Sequence, residues 1–132
     1  MERRMSRKWW SAVAVLTLLN ASTSAQGPAL DRLMRRKLDC SQKILEAVVT
    51  SRWSELEAQS REMETLTNDP AWTKLKAPEY GRQSAAFKEA VRVLREAAAK
   101  RDLDAAPKAY VALTLSCVEC HRYLAKNRLA RQ

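Results

Sequence analysis

Apolar side chains recur at intervals of three and four residues through most of the chain after residue 26. This period places them along one face of an α-helix, whereas a half-buried strand would alternate every second residue. The first stripe predicts a helix over about residues 29–50, which Pro28 can open. Its inward positions are Leu30, Met34, Leu38, Ser41, Leu45 and Val48.

A second helix is predicted over about residues 52–67, with Thr50 and Ser51 as its candidate N-caps. Pro70 ends this helix, because proline and the residue before it resist helical continuation. Residues 71–77 then form a linker, whose two large apolar side chains are expected to fold back onto the core. The inward side chains are Trp53, Leu56, Met63 and Leu66 in the helix and Trp72 and Leu75 in the linker.

Two longer helices complete the pattern. Pro78 opens the third, which extends to about residue 101, and Asp104 is the candidate cap of the fourth, which extends to about residue 127. Because short connections favour antiparallel neighbours, the pattern predicts an all-α, up-down-up-down antiparallel four-helix bundle. The inward stripes are Tyr80, Ser84, Phe87, Val91, Leu94 and Ala98 in the third helix and Tyr110, Leu113, Cys117, Cys120 and Leu124 in the fourth.

Residues 1–25 have the order of a secretory signal. Four basic side chains precede an apolar run over residues 9–19, and small polar residues follow up to Ala25. The run is shorter than the roughly 20 residues that a membrane span needs, although a retained anchor is the alternative. We expect cleavage after Ala25, a single domain over residues 26–132 and a location in the periplasm.

The composition narrows the choice of function. Two glycines among 132 residues cannot supply the turns of an all-β fold or a glycine-rich phosphate loop, and a single histidine excludes two-histidine zinc sites. The net charge of +9 falls to +6 without residues 1–25. This moderately basic surface fits an acidic protein partner or an anionic membrane surface better than nucleic acid.

The segment Cys117-Val118-Glu119-Cys120-His121 has the C-x-x-C-H spacing of c-type haem attachment. On a helix, a spacing of three projects the two thiols together, so that both can add to the vinyl groups of one haem. His121 is four residues from Cys117, so its imidazole points toward the same macrocycle and can bind iron. The sequence therefore predicts one covalent haem c, with thioethers at Cys117 and Cys120 and with His121 as the proximal iron ligand.

Three other interpretations of these residues stay open. A thioredoxin-type redox pair would need a βαβ setting, whereas the pattern here is helical. A zinc site would need Cys40 as the fourth ligand beside Cys117, Cys120 and His121. A disulfide between the two motif cysteines is compatible with export. A haem-free zinc or thiol module is thus the alternative to a haem protein.

The motif lies near the end of the last predicted helix, and in this the chain resembles the class II c-type cytochromes, the family of cytochrome c′ and its methionine-ligated, low-spin relatives. The resemblance covers the architecture of residues 26–132 and, in detail, the motif and Leu33-Met34-Arg35. It implies that Met34, early in the first helix, is the distal iron ligand. The predicted topology agrees, because it brings Met34 and His121 to the same end of the bundle. Met63 is the fallback ligand or a wall of the pocket.

The ligand set decides between two functions. With His121 and Met34 both on iron, the iron stays six-coordinate, and the protein would carry single electrons. With Met34 off the iron, an open pocket would bind nitric oxide or carbon monoxide, as the five-coordinate members of the family imply. Neither function is enzymatic, and the chain shows no nucleophile with a base beside it. The candidate pocket residues are Leu30, Leu33, Leu38 and Tyr110.

Cys40, Trp53 and several basic residues keep alternative roles. Cys40 is either a small core residue or a free thiol that could join two chains. The resemblance also implies a homodimer formed through the first two helices, in which Trp53 would be a contact, and the alternative for Trp53 is a core side chain. A redox partner protein is expected to be acidic. The candidate partners of the haem propionates are Arg35, Arg122, Lys126 and Arg128.

Overall fold

The computed structural model describes residues 26–73 and 76–129, apart from the side chains of Gln26, Arg128 and Leu129. The predicted signal at residues 1–25 and the side chain of Leu75 lie outside these residues. Within them every regular element is helical, so the all-α prediction is confirmed. The number of helices is five rather than four, because the predicted linker contains a helix of one turn. The helices are α1 (Gln26–Val49), α2 (Trp53–Leu66), α3 (Pro70–Thr73), α4 (Pro78–Lys100) and α5 (Ala105–Leu129).

The connection between α1 and α2 is a tight turn closed by backbone hydrogen bonds. Ser51 is left-handed, with a φ of 54°, and the N–H of Arg52 donates to the Ala47 carbonyl at 2.9 Å. The Thr50 hydroxyl donates to the Glu46 carbonyl at 2.7 Å. The prediction that Thr50 or Ser51 caps α2 is therefore wrong: both residues end α1, and α2 begins without a side-chain cap.

Helix α1 buries a different face from the one that its leucine spacing predicts. Leu38 is 59% exposed and Leu45 is 45% exposed, so neither belongs to the core. Two stripes overlap on this helix, and the core takes the one that contains Lys37 and Cys40. The charged group of Lys37 interrupts that stripe in a hydropathy pattern. The buried side chains of α1 are Leu33, Lys37, Cys40, Ile44 and Ala47.

The stripes predicted for α2 and α4 are largely confirmed, whereas that of α5 is confirmed only at Leu113. The other predicted positions of α5 are half-buried, namely Tyr110, Cys117, Cys120 and Leu124. The buried row of α5 consists instead of Ala106, Ala109, Leu113 and Ser116. Each long helix has a buried row at three- and four-residue spacing, as expected for a helix with one face on the core. Trp53 is half-buried and packs against this core. The buried members of the predicted stripes are Leu56, Met63 and Leu66 in α2, Tyr80, Phe87, Val91, Leu94 and Ala98 in α4, and Leu113 in α5.

Helix α3 holds an aromatic cluster against the start of α4. The Asp69 carboxylate accepts a hydrogen bond from the N–H of Ala71 at 2.8 Å, which fixes the first turn of α3. Trp72 is buried, as the sequence predicts, with its ring centroid 5.3 Å from that of Phe87. The Tyr80 hydroxyl donates to the Trp72 carbonyl at 2.7 Å. These contacts anchor the short helix against α4.

The connection between α4 and α5 resembles the first turn in its backbone. Arg101 is left-handed, with a φ of 52°, and the N–H of Asp102 donates to the Ala97 carbonyl at 3.0 Å. The Asp102 carboxylate accepts from the N–H groups of Asp104 and Ala105 at 2.9 and 2.8 Å. The cap of α5 is therefore Asp102 and not Asp104, since the carboxylate two residues earlier reaches the free N–H groups.

The long helices pack side by side around the core. Helix α1 packs on α2, α2 on α4 and α4 on α5, while α1 has smaller contacts with α3 and α5. An ion pair of 2.5 Å joins Arg36 to Glu62 across α1 and α2, and another joins Arg95 to Glu64 across α4 and α2. Across the described residues, none of the helices has the length and apolar character needed to cross a membrane. The sparse contact between α1 and α5 leaves room for a cavity.

Candidate functional site

The weak contact between α1 and α5 opens into a cavity of about 470 Å³. This volume lies within the range of roughly 300–1,000 Å³ that is typical of small-ligand and cofactor sites. Residues from all five helices line it, and most of the lining atoms are apolar. Leu38 and Val118 are about half exposed at its mouth, at 59% and 47%. We refer to this space as the central cavity.

The C-x-x-C-H residues of α5 all line the central cavity. Cys117 and Cys120 are half-buried, and His121 is exposed at the edge. Burial raises the pKa of both thiols above the ordinary value, while the positive charge of Lys37 acts in the opposite direction on each. The structure thus brings the two thiols and the imidazole to one apolar space.

Two methionines reach the same cavity from other helices. Met34 on α1 is half-buried, whereas Met63 on α2 is only 1% exposed. A thioether is a soft ligand that iron accepts opposite a histidine. Both methionines that the sequence singles out as candidate ligands therefore line the cavity together with His121.

The other candidate pocket residues divide into two groups. Leu30, Leu38 and Tyr110 line the cavity. Leu33 is 2% exposed in the core and is not part of the cavity wall, so its assignment to the pocket is wrong. The reason is the phase of α1, which turns Leu33 toward the core. The hydroxyls of Tyr110 and Ser41 lie 3.4 Å apart and form a polar contact between α5 and α1.

Lys37 also lines the cavity, although the sequence gives no sign of it. Its side chain is 8% exposed, and its Nζ atom lies 3.6 Å from the ring centroids of both Trp72 and Phe87. Desolvation lowers the pKa of Lys37 from 10.5 to about 8. Aromatic faces attract a desolvated ammonium by about 2 kcal/mol, which is less than the penalty of several kcal/mol for burying an ion. The two rings offset only part of the cost of this buried charge.

A second polar group in the cavity wall has no partner among the described residues. Trp72 is 4% exposed, and its indole Nε1 is buried without a hydrogen-bond acceptor in this part of the chain. Leaving a buried N–H group unpaired costs about 1–3 kcal/mol. Lys37 and Trp72 are in direct contact through the Trp72 ring. Two hydrogen-bond donors therefore stand together in a wall whose surface is mostly apolar.

Cys40 lies apart from the cavity and belongs to the core. It is 3% exposed, its Sγ–H group donates to the Gln59 carbonyl at 3.0 Å, and desolvation raises its pKa to about 11. Burial supports the core interpretation of Cys40 over an intermolecular disulfide. Among the described residues no three His, Cys, Asp or Glu side chains gather to hold a metal ion. The structure thus does not bring Cys40 to the motif, as a zinc site would require.

The basic candidates differ in their positions. Arg35 lines the cavity and is exposed, while Arg122 and Lys126 are exposed on α5 close to His121. The side chain of Arg128 lies outside the described residues. Lys37 is thus the one basic residue near the cysteines that is buried within the described part of the chain. A pattern that assigns charged residues to the surface does not find it.

The chain was compared with known proteins. No protein-family model matches it, and neither the curated proteins nor the solved structures contain a match. The residues of the central cavity and their geometry are therefore the basis for assigning a function.

Proposed function

We propose that this protein is a periplasmic c-type cytochrome that carries single electrons through one covalently bound haem c. The observation that carries the proposal is that Cys117, Cys120, His121 and Met34 line one apolar cavity. The spacing of the first three residues is that of haem attachment. The fourth supplies a sulfur ligand from another helix.

The residues of the cavity suit a haem in three ways. The volume is that of a cofactor site, and the lining is mainly apolar, as a macrocycle requires. The two thiols are half-buried at the cavity wall and available for thioether bonds. The wall also carries the Trp72 Nε1, which is buried without an acceptor among the described residues, and the Lys37 ammonium, which takes part in none of their ion pairs. An anionic group would satisfy both. None of these features is needed by a haem-free helical bundle.

Haem, when bound, supplies an iron centre that takes up and releases one electron. The chain's own residues hold and shield that centre. Cys117 and Cys120 would anchor the haem to α5, His121 and Met34 would bind its iron, and the Met34 thioether would favour the reduced state. Leu30, Met63 and Tyr110 line other parts of the cavity wall and would shield the haem from water. No residue in this set is given an enzymatic role.

We also propose the up-down-up-down arrangement for the four long helices. Contacts between α1 and α2 support opposite directions, because Arg36 pairs with Glu62 while the later residue Cys40 pairs with the earlier residue Gln59. The tight turns at Ser51 and Arg101 favour antiparallel neighbours. In this arrangement the start of α1 and the end of α5 share one end of the bundle, where Met34 and His121 both reach the cavity.

The basic residues near the cavity mouth support an acidic redox partner. Arg35, Arg122 and Lys126 are exposed around the wall that carries His121. Complementary charge steers encounter and raises the association rate more than it raises affinity. We also propose that residues 1–25 direct export and that two copies pair through α1 and α2. An anionic membrane surface is the alternative to an acidic protein as the partner of the basic residues.

The visible spectrum of the protein, produced in cells that attach haem, tests the ligand set. A low-spin spectrum in both oxidation states, unchanged by carbon monoxide, is the expected result. A high-spin spectrum that shifts with carbon monoxide would replace electron transfer with gas binding at a five-coordinate iron. Absence of any haem spectrum would leave the chain as a thiol or zinc module.

A further inference from the structure

Two donors in the cavity wall are not used by the iron or by the thioether bonds. The Lys37 ammonium lies 3.6 Å from the centroid of the Trp72 ring, and the Trp72 Nε1–H is buried without an acceptor. Both belong to the wall that carries Cys117 and Cys120. What they have in common is the need for an anion or another strong acceptor.

The described part of the chain does not supply that anion. Its seven ion pairs all involve arginine, and Lys37 is in none of them. No carboxylate of the described residues lines the central cavity. An unpaired buried ammonium is costly, and in folded proteins such charges are paired or bound to a ligand. The counter-charge is therefore expected to come from whatever fills the cavity.

We propose that Lys37 and Trp72 form a carboxylate-binding pair inside the cavity, and that this pair holds one propionate of the haem. This inference rests on the proposed function, because the propionate belongs to the covalent haem. The Lys37 ammonium supplies the charge, and the indole N–H of Trp72 supplies a directed hydrogen bond. The exposed residues Arg35, Arg122 and Lys126 remain the candidates for the other propionate.

The chemistry of Lys37 favours a carboxylate over iron as its partner. An ammonium has no lone pair for a metal, and at neutral pH a lysine must lose its proton before it can bind iron. Met34 and His121 line the same cavity and would supply the iron ligands under the proposed function. A propionate also satisfies Trp72, which iron cannot do. One bound carboxylate thus accounts for both donors.

Lys37→Met and Trp72→Phe test the pair in the holoprotein. Methionine keeps an apolar chain of similar length without the charge, and phenylalanine keeps a ring without the N–H group. Lys43→Met is the matched control, since Lys43 is an exposed lysine further along α1. The readouts are the reduction potential, the visible spectrum and the propionate bending band of the resonance Raman spectrum.

A buried positive charge beside the haem favours the reduced state, so its loss lowers the potential. We expect Lys37→Met to lower the reduction equilibrium constant about tenfold, which is about 59 mV for one electron. Trp72→Phe is expected to lower it about threefold and, like Lys37→Met, to shift the propionate band. Lys43→Met is expected to leave both quantities at the wild-type values, because exposed charges are screened. All three variants should keep the low-spin spectrum.

Three results would overturn the inference while leaving the proposed function in place. One is a wild-type potential and an unshifted propionate band in Lys37→Met. Another is loss of the low-spin spectrum in that variant, which would make Lys37 an iron ligand. The third result is an unshifted propionate band in Trp72→Phe. If Lys37→Met does not accumulate with haem, Trp72→Phe and Lys37→Arg replace it in the test. A wild-type protein without haem would instead overturn the proposed function itself.

Discussion

The Sγ–H group of Cys40 donates a hydrogen bond to the backbone carbonyl of Gln59 at 3.0 Å, which ties α1 to α2 inside the core. The side chain is 3% exposed. Cys40 therefore acts as a small core residue, and its position accounts for the third cysteine without a metal or a disulfide. The thiols with a proposed chemical role are the two on α5.

Cys40→Ala should lower the free energy of unfolding by about 1 kcal/mol, because it removes one buried heavy atom and a weak hydrogen bond. The variant should keep its haem and run as a single chain on a denaturing gel without reductant. Denaturant unfolding of the holoprotein measures the first effect. A covalent dimer in the wild type that disappears in Cys40→Ala would contradict this account.

Because the Cys40 thiol is buried, we expect the free energy of unfolding to depend on pH in the alkaline range. Desolvation raises the pKa of Cys40 from 9.0 to about 11. Between these values the unfolded thiol has ionised while the folded thiol keeps its proton, so the free energy of unfolding falls as the pH rises. Unfolding of wild type and Cys40→Ala at pH 8 and pH 11 should show a smaller fall in the variant. Parallel curves for the two proteins would refute the assignment.

The extent to which sequence predicts this fold differs between helices. The buried face of α4 is predicted correctly, since Phe87, Val91 and Leu94 are apolar and buried. In α1 the predicted buried face is rotated from the observed one, because Leu38 and Leu45 are exposed while Lys37 and Cys40 are buried. Periodicity finds the helix but not its buried face when two stripes compete. Tertiary packing decides between them.

The left-handed conformation of Arg101 predicts a stabilising substitution. A residue with a side chain is strained at a φ of 52°, whereas glycine is not. Arg101→Gly should raise the free energy of unfolding by about 1 kcal/mol. Lys100→Gly, one residue earlier and within α4, is the control and should lower it by up to about 1 kcal/mol. Equal effects of the two substitutions would argue against strain at Arg101.

The cap of α5 gives a comparison between two neighbouring aspartates. Asp102 accepts two backbone hydrogen bonds, and these bonds lower the pKa of its carboxyl group. Asp102→Ala should destabilise the protein above the ordinary pKa of the group, and the difference from wild type should shrink as acid protonates the carboxylate. Asp104→Ala should have little effect on thermal unfolding. The reverse order would restore Asp104 as the cap.

Met34 and Met63 should respond differently to truncation. Met34→Ala should convert the low-spin spectrum to a high-spin one that shifts with carbon monoxide, because the distal ligand is lost. Met63→Ala should keep the low-spin spectrum and lower the free energy of unfolding by about 2–5 kcal/mol, because Met63 is buried in the core. Visible spectra and denaturant unfolding of both variants make the comparison. A spectrum that changes only in Met63→Ala would make Met63 the iron ligand in place of Met34.

The site is predictable from sequence where chemistry follows spacing. Cys117, Cys120 and His121 stand out because their residue types and spacing are those of c-type haem attachment. Met34 stands out because its position early in the first helix matches that of the methionine ligand in the family that the chain resembles. Lys37 does not stand out, because its burial depends on Trp72 and Phe87, which come from other helices. Trp72 is predictable as a buried ring, but its unpaired N–H group is a property of the packed cavity.

The mass of the intact, denatured polypeptide tests covalent haem attachment most directly. The protein is produced in cells that attach haem, beside a control in which Cys117 and Cys120 are both replaced by serine. We expect the wild-type mass to exceed that of its processed polypeptide by one haem, and the control to have the mass of the polypeptide alone. A wild-type polypeptide without added haem would contradict the proposal that this chain is a c-type cytochrome.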